Sequence, residues 1–271
     1  MARALSSLIE HAQAQTAAIT NALRATLLPR HPLQIDVLKA IACVCMLVDH
    51  INTCLFDRAS VLAYLVGRLA FPLFGLAFAL TLNPDKAPLQ TARRLAIAGA
   101  AIQPIYAIAF ANTGFSPWWA GNILFSFAAV AYLVEQAKNP TPVAIARSLI
   151  VIAAVALIQS PSSFGLAGIV WLYALHRFFN SQPDSTAAWP VAALVAFFML
   201  NPGMPIANAL IAAAIAAIIA ASQYARSRAP RHTTRHPWSL AFYAGHLLAI
   251  VLIVAAEHLT RSAELAQAIA A

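Results

Sequence analysis

The chain has 271 residues, 61% of them apolar and only 10% charged, with a mean hydropathy of +0.74. Soluble domains carry about 25% charged residues, so this composition excludes a soluble globular protein and indicates a polytopic membrane protein. The net charge of +8 would suggest nucleic acid in a soluble protein. Here the distribution of the basic residues explains it better, and no direct nucleic-acid partner is expected.

Residues 3–28 place Leu5, Leu8, Ile9, Ala12, Ile19, Leu23 and Leu27 in a three-and-four rhythm, with Arg3, Glu10, Gln13 and Arg24 on other faces. This stretch is too polar to span and reads as an amphipathic interfacial helix, ended by His31-Pro32. The first thirty residues contain no apolar core followed by a small-residue cleavage site, so the first span is expected to act as an uncleaved insertion signal.

Apolar segments then recur near 35–56, 60–82, 94–111, 119–135, 143–159, 164–180, 188–200, 205–221 and 238–258. Loops after the second, fourth, sixth and eighth segments hold Lys86, Arg93, Arg94, Lys138, Arg177, Arg226, Arg228, Arg231 and Arg235. Loops after the third, fifth and seventh hold no Lys or Arg. The alternation predicts an all-α fold of nine transmembrane helices with a cytoplasmic N-terminus. The organisation expected is an interfacial helix at 1–32, a membrane domain at 33–260 and a short tail at 261–271. The segment 188–200 is short enough for a half-span, which would move the C-terminus to the cytoplasm. The run NALIAAAIAAIIAA (208–221) reads as a close-packing helix, and no internal repeat is visible.

The chemistry is concentrated in the first span, IDVLKAIACVCMLVDH, which carries Asp36, Lys39, Asp49 and His50. Ionisable groups at bilayer depth cost roughly 2.5–3.5 kcal/mol each by insertion scales, so they point to a function or a specific partner. Lys39 and His50 are eleven residues apart, close to three helical turns, and so share one helix face with Cys43 and Met46 between them. The rise is ~16 Å. That face is expected to hold a cation near one membrane surface and an imidazole near mid-depth. Asp36 and Lys39 also have the spacing to pair with one another. Cys43, Cys45 and Cys54 read as small core residues rather than half of a metal site, and no metal centre is expected.

Three further spans carry polar groups. Arg68 lies in GRLAFPLFGLAFAL, where Pro72 frees the Arg68 carbonyl and predicts a kink; the guanidinium either neutralises Asp49 or Asp57 or serves a bound substrate. Gln103-Pro104 and Tyr106 form an interrupted polar site, read as packing and hydrogen-bonding groups, with Gln103 also a candidate donor contact. His246 lies in FYAGHLL. His176, His232, His236 and His258 read as solvated or interfacial, and loop 112–122 as an aromatic belt at the membrane surface.

With these residues in place, the chain resembles the TraX family of conjugative pilin acetylases, including the TrbP proteins. LKAIACVCMLVDH (38–50), GRLAFPLF (67–74), QPIY (103–106), GNILFSF (121–127), FGLAGI (164–169) and FYAGHLL (242–248) carry the likeness and occur in family order. More distantly, the Lys39–His50 spacing is similar to that of membrane-bound acyltransferases with a basic residue, ten intervening residues and a histidine in the first span.

The resemblance implies an inner-membrane enzyme that moves an acetyl group from cytoplasmic acetyl-CoA to the N-terminal amine of processed pilin. It further implies roles for His50, Arg68, His246 and Asp49 in catalysis, and for Lys39, Arg68 and Gln103 in holding the donor. In that scheme His50 is the general base, and Arg68 stabilises the oxyanion or grips the donor. His246 donates a proton or orients His50, and Asp49 positions an imidazole. A transporter lined by buried charges, or a non-catalytic pilin-binding membrane component of the conjugation apparatus, remain the alternatives.

Overall fold

A computed structural model describes residues 32–111, 113, 114, 116, 119–159, 164–180, 188–226 and 238–270, with isolated helical positions at 11, 14, 15, 18, 21 and 22. Apart from those six positions, the interfacial helix expected over 3–28 lies outside the described residues, as do His232, His236 and part of the 112–122 loop.

The described residues form ten helices. They are α1 (Pro32–Cys54), α2 (Val61–Gly67), α3 (Ala70–Thr81), α4 (Pro88–Phe110), α5 (Leu124–Gln136), α6 (Pro142–Ile158), α7 (Gly165–Asn180), α8 (Ala188–Phe198), α9 (Pro205–Arg226) and α10 (Trp238–Ala270). Proline at the first helical position, where its missing N–H costs nothing, opens α1, α4, α6 and α9. At α6 the Thr141 hydroxyl accepts from Ala144 N at 3.1 Å and caps the first turn.

Among the described residues, three helical stretches are long and apolar enough to cross a membrane: Val61–Thr81, Pro205–Gln223 and Trp238–Glu264. Exposed Leu149, Ile150 and Leu157 on α6, with Ile206 and Leu210 on α9, turn apolar surface outward, as a lipid-facing helix does. The chain is a helical membrane protein. Helix α8 has 11 residues, about 16 Å, roughly half of the ~30 Å hydrocarbon core. Its end is tied locally. Asn201 Nδ2 donates to Asn208 Oδ1 at 2.8 Å, and Asn208 Nδ2 to the Phe198 carbonyl at 2.9 Å.

Several boundaries differ from those expected. The second segment is broken at Arg68-Leu69, where the chain carries the backbone on between α2 and α3. Pro72 has no N–H for the Arg68 carbonyl, which is the cause the sequence suggested. Helix α4 starts at Pro88 rather than near 94, so Arg93 and Arg94 sit in its second turn, not in a loop. Helix α10 continues through the residues expected to form a short tail.

Helix α1 is the hub of one half of the molecule, packing on α2, α3, α9 and α10. Helix α7 is the hub of the other, packing on α3, α5, α6 and α8. Helix α3 serves both. Its Gly75 lets the Trp171 indole lie directly on the α3 backbone, since an added Cβ there would collide with that ring. Helices α4 and α5 are clamped by the buried Asn122. Its Nδ2 donates to the Gly99 carbonyl at 2.8 Å and to Gln103 Oε1 at 2.9 Å, while its Oδ1 accepts from Leu124 N. His176 corrects the expectation of a solvated histidine: it is 2% exposed, within 3.2 Å of Asn180 Nδ2, which also donates to the α3 carbonyl of Ala79.

Replacing Asn122 leaves the Gly99 carbonyl and the Leu124 N–H without these partners. Asn122→Ala is expected to cost about 1–3 kcal/mol, read as a lowered unfolding midpoint in detergent micelles. An unchanged midpoint would contradict the clamp.

Candidate functional site

Beside α1 lies a cavity of about 490 Å³ that extends along much of that helix. At one end it is lined by Lys39, Thr81, Thr91, Arg94 and Ser239; at the other by Asp49, His50, Thr53, Arg58 and Arg68. The first set lies towards the N-terminal ends of α1, α4 and α10 and the C-terminal end of α3. Between the two ends the wall is apolar and aromatic, with Met46, Phe74, Phe78, Leu95, Tyr106, Phe127 and Tyr243. Four cations against one carboxylate give the cavity a positive field, which favours an anionic ligand.

The helix-face argument places Lys39 and His50 correctly on one stripe, since both line the cavity. Helix α1 ends at Cys54, so His50 stands one turn from its C-terminal end. Lys39 is also within 3.8 Å of Asp36 Oδ1, a loose pair at the opposite end.

His50 Nδ1 lies 2.7 Å from His246 Nε2, joining residues 196 positions apart in the chain. The ring centroids are 4.9 Å apart at an interplanar angle of 25°. That separation is close to the N···N distance plus one ring radius on either side, so the rings meet edge to edge rather than face to face, as a straight hydrogen bond needs. His246 Nδ1 lies 2.9 Å from the Phe242 carbonyl. A carbonyl only accepts, so His246 Nδ1 carries the hydrogen and, in the neutral ring, Nε2 carries the lone pair. His50 Nδ1 must then donate to it. The consequence is a defined tautomer for His50, with the lone pair on Nε2. His246 is not among the cavity-lining residues and stands behind His50. The Phe110 and His50 rings stand perpendicular with centroids 5.2 Å apart, a contact that further limits rotation of the imidazole.

Arg68 Nη2 donates to Asp49 Oδ2 at 3.1 Å. Asp49 thus turns to the guanidinium and not to an imidazole, and of the two acidic partners weighed for Arg68 it is the one engaged. The guanidinium also lies 4.8 Å from the Tyr64 ring centroid and 5.0 Å from that of Phe164. Arg68 follows α2, whose last residue, Gly67, packs on Asp49; a Cβ there would strike the Asp49 side chain.

Two lining cations were not singled out as site residues by sequence reasoning. Arg94 reads as a topology-setting charge, and only the early start of α4 brings it to the cavity. Arg58 lies in the α1–α2 turn, where Asp57 and Arg58 have φ of 46° and 60°. This left-handed backbone is held by buried Asn52, which donates to the Ser60 carbonyl and accepts from Ser60 N at 3.0 and 3.1 Å. Burial lowers the Arg58 guanidinium from its ordinary pKa, and the Arg68 charge adds to that, while Asp49 opposes it. Gln103 is placed apart from the cavity. Its Nε2 donates to the Ala120 carbonyl at 2.7 Å, and its Oε1 accepts from Asn122 N at 3.0 Å.

The profile of the TraX protein family matches residues 34–254, which contain every one of these side chains. The chain belongs to the TraX family. Protein TraX of Escherichia coli is 32% identical over 189 residues, covering 69% of this chain and 72% of that relative. Protein TraX of Escherichia coli strain K12 is 34% identical over 174 residues, covering 63% and 66% of the two chains. No solved structure matches the chain. Membership of the TraX family ties the protein to conjugation.

Arg68 and Asp49 are a buried pair, so removing one partner leaves the other uncompensated. Arg68→Met is expected to cost roughly 3–5 kcal/mol of stability, and Arg68→Met with Asp49→Asn to recover most of it. Equal melting curves for the single and double variants would contradict the pairing.

Proposed function

We propose that the protein is an inner-membrane acetyltransferase that moves an acetyl group from acetyl-CoA to the N-terminal amine of conjugative pilin. The observation that carries this reading is the His50–His246 pair at the wall of a cationic cavity, with its tautomer set by the Phe242 carbonyl. Family membership supports pilin as the partner.

The loop charges orient the chain with its N-terminus in the cytoplasm, so the Lys39 end of the cavity faces the cytosol. There Lys39 and Arg94, with the N-terminal ends of α4 and α10, hold the phosphates of the donor, Arg94 as a bidentate donor and Lys39 as a point charge. The uncharged arm of the donor lies along the aromatic wall and delivers the thioester to His50. Gln103, with its amide committed to the α4–α5 clamp, takes no part in holding the donor.

The acceptor amine enters from the Arg58 end. A free α-amine has a pKa of about 7.7–8.0, so much of it is protonated at neutral pH and a base of modest strength suffices. His50 Nε2 takes the proton as nitrogen attacks the carbonyl carbon. His246 accepts from His50 Nδ1 throughout and favours the imidazolium that forms, acting as a positioning residue. Arg68, fixed by Asp49, Tyr64 and Phe164, offers its guanidinium to the oxyanion.

Purified protein given acetyl-CoA and the processed pilin of its own conjugation system is expected to add one acetyl group per pilin, read by intact mass. His50→Ala should lower the rate by roughly 10²–10⁴-fold. A fully active His50→Ala variant would remove the mechanism. Pilin that co-purifies with the protein but gains no mass would favour a non-catalytic pilin-binding role, and liposome uptake of a solute independent of acetyl-CoA a transporter.

A further inference from the structure

The acyl-transfer reading places the amine proton on His50 Nε2, on the amine side of the tetrahedral adduct, and names no acid on the sulfur side. When the tetrahedral adduct collapses, the C–S bond breaks and the departing thiolate must be protonated. His246 is not suited to this: its Nδ1–H is committed to the Phe242 carbonyl, its Nε2 faces His50, and it stands behind the cavity wall. Arg68 holds its protons too tightly to act as an acid. Lys39 is ~16 Å from His50 along α1.

The direction of donor entry shows which side the acid must occupy. With the phosphates near Lys39 and the carbonyl at His50, the sulfur lies on the Lys39 side of the imidazole. One helical turn to that side, three helices contribute a side chain to the lining: Met46 on α1, Tyr106 on α4 and Tyr243 on α10. Tyr243 is 5% exposed and sits one turn before His246, with the two ring centroids 5.7 Å apart, so the helix segment that sets the histidine tautomer also sets the phenol. Tyr106 packs its ring on Phe110 with centroids 4.6 Å apart, as part of the buttress of His50.

We propose that Tyr243 is the general acid of the transfer, donating its phenolic proton to the leaving thiolate. The inference rests on the acetyltransferase reading. The balance closes without any further reactant. Nitrogen forms a bond to the acetyl carbon and gives its proton to His50 Nε2. The C–S bond breaks and sulfur takes the Tyr243 proton. The phenolate then recovers a proton from the His50 imidazolium, so the products are an amide and a free thiol with the enzyme restored.

The test compares two acetyl donors whose leaving groups need a proton to different degrees. Acetyl-CoA releases an alkyl thiolate, whereas phenyl thioacetate releases an aryl thiolate that departs without help. With acetyl-CoA and processed pilin, Tyr243→Phe is expected to lower kcat by about 10²-fold, with KM for acetyl-CoA within about twofold of the wild type. With phenyl thioacetate the same variant should act within about threefold of the wild type, because no acid is needed there. Tyr106→Phe should show no such dependence on the leaving group.

An equal loss with both donors would make Tyr243 a packing residue and overturn the proposal, as would a defect confined to KM or a leaving-group dependence found in Tyr106→Phe instead. If the wild-type protein acetylates no pilin, the functional reading itself fails and takes this assignment with it. If the wild type is active and Tyr243→Phe matches it with acetyl-CoA, only the assignment fails.

Discussion

The site depends on one hydrogen-bonded chain, from the Phe242 carbonyl through the His246 ring to the His50 ring. A backbone carbonyl cannot change its role, so it is the fixed end from which both tautomers follow. The chain also fastens α10 to α1 across the widest sequence separation in the site. Packing alone would hold the two helices together, with Leu247 and Ile250 fully buried beside them. It would not decide which imidazole nitrogen carries a lone pair. That decision is what turns a pair of buried histidines into a base with a direction.

The second constraint is electrostatic. A guanidinium in the interior of a membrane protein is tolerated because Asp49 neutralises it and two aromatic faces replace part of its hydration. The helix break made by Pro72 brings Arg68 out of a continuous helix, and Gly67 permits the close approach of Asp49. These local devices leave the cavity with more positive than negative charge at both ends. An anion is therefore favoured along the whole length, with donor phosphates at the Lys39 end and the developing oxyanion at the Arg68 end.

Much of this was legible in the sequence where local periodicity carries information. The spacing of Lys39 and His50 puts both on one stripe, the proline after Arg68 announces the break, and four of the ten described helices open on a proline. The misplaced features have physical reasons. Arg93 and Arg94 look like loop charges because hydropathy falls there, yet the helix begins earlier, at Pro88. His176 looks solvated at a helix end, but α7 ends against α3, and Asn180 satisfies it. Asp49 and Arg68 are nineteen positions apart and His50 and His246 far more, so no helical period links either pair, and each stood in the sequence only as one of two alternatives. Tyr243 stood inside a motif noted for its histidine. Only the direction of the cavity makes its hydroxyl chemically significant.

The most direct measurement is the ¹⁵N spectrum of the protein carrying ring-labelled histidine, with His50 and His246 assigned by single replacement of each. The account predicts that both rings are neutral at pH 7 with the hydrogen on Nδ1, giving a protonated-type Nδ1 and an unprotonated-type Nε2 for each. A His50 ring with its hydrogen on Nε2 would contradict it, because the nitrogen assigned as the base would then have no lone pair to use.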